Sequence, residues 1–164
     1  MAARPTPLVC EIVALLDGGG AHPSFRQAIA GWPPAKRAAI PNGAEHSAWQ
    51  LLEHLRLAQR DILDYCVDPK YETPEWPADY WPKPAPPTAS AWDRSVRAYL
   101  AGQRAFVRLI SVRERDLLAP LPFGRDGTLL EEAFLIANHG SYHVGQLVLL
   151  RRLLGAWPPK SKDR

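Results

Sequence analysis

His139 and His143 stand four residues apart in a segment that reads as one long helix, NHGSYHVGQLVLL. A helix advances about 100° per residue, so the two imidazoles differ by about 40° and lie one turn apart on one face. Leu135, Ile136, Gln146, Leu150 and Leu154 are read onto the same face, which points the pair into a core. A buried imidazole needs partners for its ring nitrogens. An apolar stripe offers few, whereas one metal ion satisfies a nitrogen on each ring, and the i,i+4 spacing lets both converge on it. Two hydrogen-bonded core histidines are the competing reading, and the pair alone does not choose. The intervening residues are Gly140, Ser141 and Tyr142, so this is not H-E-x-x-H and no general base comes with it.

His54 lies on another helical pattern, about 60° from the line through Leu51 at the edge of an apolar stripe. From there it can face inward and complete a three-histidine site. His46 reads as a rim or cap residue, and His22, beside Pro23, receives no role. Three neutral imidazoles leave a metal's charge undiminished and keep at least one coordination position open. Nitrogen donors suit zinc, nickel, cobalt, iron or copper; zinc is the first expectation, with nickel, iron, manganese and cobalt as alternatives. Gln146, three residues after His143, and Asp61, seven after His54, are candidates for orienting the rings. Each reads equally as a helix–helix hydrogen bond or a surface ion pair. Asn138 and Tyr142 flank the histidine pair, and Tyr142 or Gln146 are the candidates for polarising a substrate. Glu53 is expected in solvent, and Glu132 is expected to favour its helix dipole. Gly140 and Gly145 each weaken a helix by roughly 1 kcal/mol against Ala. Close packing of another helix, or room beside a metal, would offset that.

Four helical patterns have to position these residues. The first covers 8–16, with Leu8, Ile12, Leu15 and Leu16 on one side, and stops at Asp17-Gly18-Gly19-Gly20. A short helix from Ser24 is plausible. The second long pattern starts at Ser47, where Ser47-x-x-Gln50 makes a capping box, and ends before Asp68-Pro69. Its stripe is Leu51, Leu55, Ala58, Ile62 and Tyr65. Residues 69–90 hold seven of the seventeen prolines, together with Tyr71, Trp76, Tyr80 and Trp81. Proline removes backbone donors, so this stretch is neither helix nor central strand. An exposed polyproline ligand is one reading. An ordered loop laid on the helices is the favoured one, because four large aromatics give it surface to bury; residues 71–81 then form a wall over the open metal position. The next pattern runs 91–112 with Ser90-x-x-Asp93 as cap and Trp92, Val96, Tyr99, Phe106 and Ile110 at helical spacing. A Pro- and Gly-rich loop fills 113–127. The last helix runs 129–154, from a Thr128-x-x-Glu131 box to Gly155. No segment alternates long enough to make a strand, so the chain reads as an all-α four-helix bundle.

The remaining features exclude more than they assign. The 164 residues fit one domain, expected to span 1–164, with 46% hydrophobic and 23% charged residues and no sign of wholesale disorder. No uncharged apolar run approaches the roughly 18 residues of a membrane span. No signal-peptide pattern is read at the N-terminus. The net charge is +3 without basic runs, which is no nucleic-acid footprint, and the arginines read as solvated helix faces. Cys10 and Cys66 form no C-x-x-C pair and read as small buried hydrophobes in a reducing cytoplasm.

The segments HSAWQLLEHLRLAQRDIL and NHGSYHVGQLVLLRRLLG, with the YWP-containing Pro- and Trp-rich stretch between them and Trp92, resemble the DinB/YfiT-like superfamily, in particular its DinB-like branch. The resemblance covers roughly residues 8–155. It implies a four-helix bundle of DinB/YfiT-like type with a long Pro- and aromatic-rich connection between the second and third helices. It also implies a divalent metal held by one histidine of the second helix and two of the fourth, which fall on His54, His139 and His143. Homodimers are implied as well, and thiol-dependent transferases and isomerases that use bacterial low-molecular-weight thiols. The family name records damage-inducible expression and implies no DNA binding. The leading expectation is therefore a metal-dependent, thiol-using transferase acting on a small-molecule substrate, cytoplasmic and away from membranes. A metal-dependent hydrolase is one alternative, and a non-catalytic stress-response protein that binds metal or a small ligand is the other.

Overall fold

Side-chain caps set where most of the helices begin. Thr6 Oγ1 accepts the Val9 N–H at 3.3 Å and starts α1, Pro7–Asp17. Ser24 and Gln27 form a reciprocal capping box on the short α2, Phe25–Ile29. Ser47 and Gln50 do the same for α3, Ala48–Val67, at the positions read from the sequence. Thr128 Oγ1 accepts the Glu131 N–H at 3.2 Å at the head of α5, Leu129–Leu153. These bonds satisfy backbone donors that no helical carbonyl can reach. The remaining long helix, α4, spans Ala89–Ile110. It is already helical at Ala89, one residue before the expected cap Ser90.

The chain is described by a computed structural model covering residues 6–18, 20–82, 89–112 and 115–157. Among these the fold is all-α: five helices, two short 3-10 turns at Pro34–Lys36 and Pro122–Gly124, and no strand. Part of the expected loop, residues 83–88, lies outside the described residues, as do residues 113 and 114. No helix among the described residues is long and apolar enough to cross a membrane.

α3 lies against α4 and α5, α1 against α4 and α5, and α2 against α5. One apolar cluster gathers Trp32, Leu52, Leu55, Trp92, Tyr99 and Leu147. A second gathers Ile12, Ile62, Phe106, Ile110, Ala133 and Ile136. Burying each large apolar side chain contributes about 1.5–3 kcal/mol. The stripes of α3 and α4 fall as expected. Those of α1 and α5 need correction. On α1, Leu8 and Leu15 are exposed, while Val9 and Ile12 are buried and Leu16 is half-buried. On α5, Leu135 is exposed beside buried Ile136, because one residue of helical advance carries it onto the outer side with Tyr142 and Leu149.

α5 ends in a Schellman motif. Gly155 has φ +64°. The Ala156 N–H bonds the Arg151 carbonyl and the Gly155 N–H bonds the Arg152 carbonyl, both at 2.9 Å. Arg151 itself departs from the expected solvated face. It is 1% exposed and donates to the carbonyls of Ala156 at 2.8 Å, Ala28 at 2.9 Å and Gly31 at 3.2 Å. Its guanidinium also lies over Trp32. It thereby ties α2 and Ala156, just after α5, to that helix.

Candidate metal centre

α3 and α5 bring His54, His139 and His143 together, although 85 residues separate His54 from His139. One ring nitrogen from each lies within 4.8 Å of the other two. His54 Nε2 and His139 Nε2 are 3.0 Å apart. Two nitrogens at about 2.0–2.1 Å from one ion stand roughly 2.8–3.4 Å apart for bond angles between 90° and tetrahedral. The observed separation therefore fits a shared ion, and the three residues could hold one.

The outer nitrogens settle the tautomers. A carbonyl oxygen can only accept, so His54 Nδ1 donates to the Tyr80 carbonyl at 3.0 Å and His143 Nδ1 donates to Gln146 Oε1 at 2.6 Å. Each ring then carries its proton on Nδ1 and a lone pair on Nε2, the form a metal needs. Burial, with the neighbouring imidazoles, holds the rings neutral. His139 and His143 are both lowered to about 4, desolvation being the largest cause in each, and His54 is lowered for the same leading reason. Little proton competition stands against a cation near neutral pH.

The end of the Pro- and aromatic-rich loop lies against the triad at His54. The Trp81 indole stacks on His54 with centroids 4.0 Å apart and planes 2° apart, and His46 stacks on Trp81 at 3.8 Å. Trp81 is thus held between the two histidines, and His46 is a rim residue as read. Asp61 fastens this loop to α3. Its carboxylate accepts from Tyr71 Oη at 2.7 Å and Tyr80 Oη at 2.6 Å. Asp61 therefore touches no imidazole; it acts on His54 through Tyr80.

Other candidates take definite places. Gln146 orients His143. Tyr142 is 64% exposed, with its ring 4.9 Å from that of His143. Asn138 is exposed. Glu53 is buried, because α4 packs over that side of α3. Burial opposes its charge, but hydrogen bonds from Arg56 and Ser95 outweigh it and hold the carboxyl below its usual range. Glu132 is half-buried and stays outside the triad; burial is the main cause of its raised pKa. Close helix packing does not require either glycine: a Cβ at Gly140 would make ordinary contact with Tyr99 Oη at 3.5 Å, and one at Gly145 would meet nothing within 4 Å. Cys10 is exposed rather than buried, while Cys66 is buried. Sequence reasoning placed Tyr80 and Trp81 in the loop wall without giving either a contact of its own, and gave His22 no role. His22 Nδ1 meets the Pro23 carbonyl at 2.9 Å and its Nε2 meets Ser141 Oγ at 3.1 Å, joining the loop before α2 to α5.

A family model described as DinB superfamily matches residues 21–147. The chain belongs to the DinB superfamily. The matched DinB region takes in His54, Tyr80, Trp81, His139, His143 and Gln146, and leaves α1 outside it. No curated protein and no solved structure matches the chain.

Proposed function

We propose that this DinB-superfamily protein binds one divalent metal, zinc first, on His54, His139 and His143, and that it is a metal-dependent transferase using a small thiol. The observation that carries the metal reading is the convergence of three ring nitrogens within 4.8 Å. Two of these rings already have their protons turned outward to Tyr80 and Gln146. The family resemblance supports the thiol and the homodimer. When bound, a divalent ion supplies positive charge that draws the proton from a thiol or water near neutral pH. The chain's own residues prepare the place. The Tyr80 carbonyl fixes the His54 ring, Gln146 fixes His143, and the Trp81 indole keeps solvent from one face of His54. Tyr142, exposed at the rim, supplies a hydroxyl that can hydrogen-bond an incoming electrophile.

Metal content of untagged protein decides the first step. Near-stoichiometric metal in the parent, lost in His54→Ala and in His139→Ala, is the expected result. A screen of thiols with electrophilic substrates, with and without chelator, then tests the transferase. A parent that takes up no metal when zinc is supplied overturns the reading and leaves His139 Nε2–H bonded to His54 Nε2 as a core contact.

A further inference from the structure

We infer that the groove on the outer side of Gln146 binds a small neutral carbonyl compound with an apolar tail, such as an amide, ester or ketone. The groove has a volume of about 330 Å³, within the range of roughly 300–1,000 Å³ typical of small-molecule sites. This names the electrophile class for the function proposed above, and so rests on that reading for its chemistry. The binding itself stands on other observations.

The groove has a floor and a wall of different character. Leu51 from α3 and Leu149, Leu150 and Leu153 from α5 form the apolar part. Leu149 and Leu153 are 56% and 53% exposed, so this surface faces water in the free protein. His46, Tyr142 and Gln146 form the polar part. Because Gln146 Oε1 accepts from His143, the Gln146 amide is left with its Nε2 hydrogens as donors. The Tyr142 hydroxyl is a second donor. The Gln146 amide hydrogens, with the Tyr142 hydroxyl able to donate beside them, match an acceptor oxygen on the ligand. Glu45 is the one charged side chain of the lining, and it opposes a carboxylate. What remains is an uncharged acceptor, a carbonyl, with a tail to cover the leucines. Gln146 links the two sites: its Oε1 holds His143 and the residue also lines the groove, so a carbonyl held there lies beside the triad.

Hexanamide is the probe. It is titrated into ¹⁵N-labelled protein, once treated with chelator and once loaded with zinc, and followed by amide shifts. Saturable shifts at the Gln146 side-chain amide and at Tyr142 and Leu149 are expected in both forms. Hexanoate and acetamide should each bind at least tenfold more weakly. Leu149→Asp, at an exposed position, should abolish the shifts while metal content stays at the parent level. No saturable shift, or hexanoate binding as tightly as hexanamide, overturns the proposal. So does a dimer that Leu149→Asp converts to monomer with hexanamide silent in both, since a second copy then covers the face. Hexanamide binding to a protein that takes up no zinc keeps the groove and removes the metal reading; zinc uptake with silent hexanamide does the reverse.

Discussion

At the scale of single residues, the site depends on where protons sit. Gln146 holds the His143 proton on Nδ1 through a 2.6 Å bond. Gln146→Leu removes that acceptor at similar volume, and metal affinity should fall about 10–100-fold, measured by competition with a chelator. An unchanged affinity would mean that packing alone orients the ring. The i,i+4 pair and its alignment with Gln146 were legible because a helix of known period carries all three. Glu53 was misread because nothing in its own helix announces Ser95 on α4 as a partner. The two thiols separate in the same way. Burial, with the charge of Glu132, pushes Cys66 up to about 12, whereas Cys10 is exposed. A thiol whose folded pKa lies above its unfolded value stays protonated until pH rises through the folded value. Iodoacetamide at pH 8 should therefore modify one cysteine in the folded chain and the second only after unfolding, as counted by mass spectrometry.

At the scale of elements, the aromatic loop and α3 work as a pair. Tyr71 and Tyr80 both bond Asp61, yet only Tyr80 also offers its carbonyl to His54. Tyr80→Phe should weaken metal binding about tenfold or more. Tyr71→Phe, which loses an equivalent bond, should leave the affinity within about twofold while lowering stability by about 1 kcal/mol. Equal losses of affinity in both variants would assign the effect to loop anchoring in general. α3 and α5 could be bounded from sequence because Ser47, Gln50, Thr128 and Gly155 are local signals whose partners lie within a few residues. The path of the loop could not. Proline removes periodicity, and the stacking of Trp81 on His54 is a contact 27 residues away in sequence that no local pattern encodes. The start of α4 was displaced for a related reason, since a serine inside a first turn and a serine at a cap look alike in sequence.

At the scale of the whole molecule, Arg151 adds polar ties between α2 and α5, which already share an apolar cluster. Burial lowers its pKa, and three carbonyls answer its guanidinium with no carboxylate among those partners. Arg151→Met keeps the bulk and abandons the three acceptors, at a cost of about 1–3 kcal/mol for each that stays buried and unpaired. The urea midpoint should fall with an unchanged slope, while metal content per folded molecule holds. A stabilised variant would show that the buried charge costs more than its bonds return. The all-α class was readable because helical periods fill the long segments, whereas Arg151 was not, since a buried arginine and a solvated one have the same neighbours along a helix. The 85 residues between His54 and His139 carry one more consequence. A permanent link between those two rings would close about half of the 164-residue chain into a ring, and in chain-entropy terms such a closure confines the unfolded state by about 4–5 kcal/mol. An ion that is bound only when α3 and α5 are docked acts in the same direction, by RT ln(1 + [M]/Kd), about 2.7 kcal/mol at a hundredfold excess over Kd. If the triad takes up an ion as proposed, metal supply would then set how long the chain stays knotted to itself on heating, and the centre would serve as a removable tie.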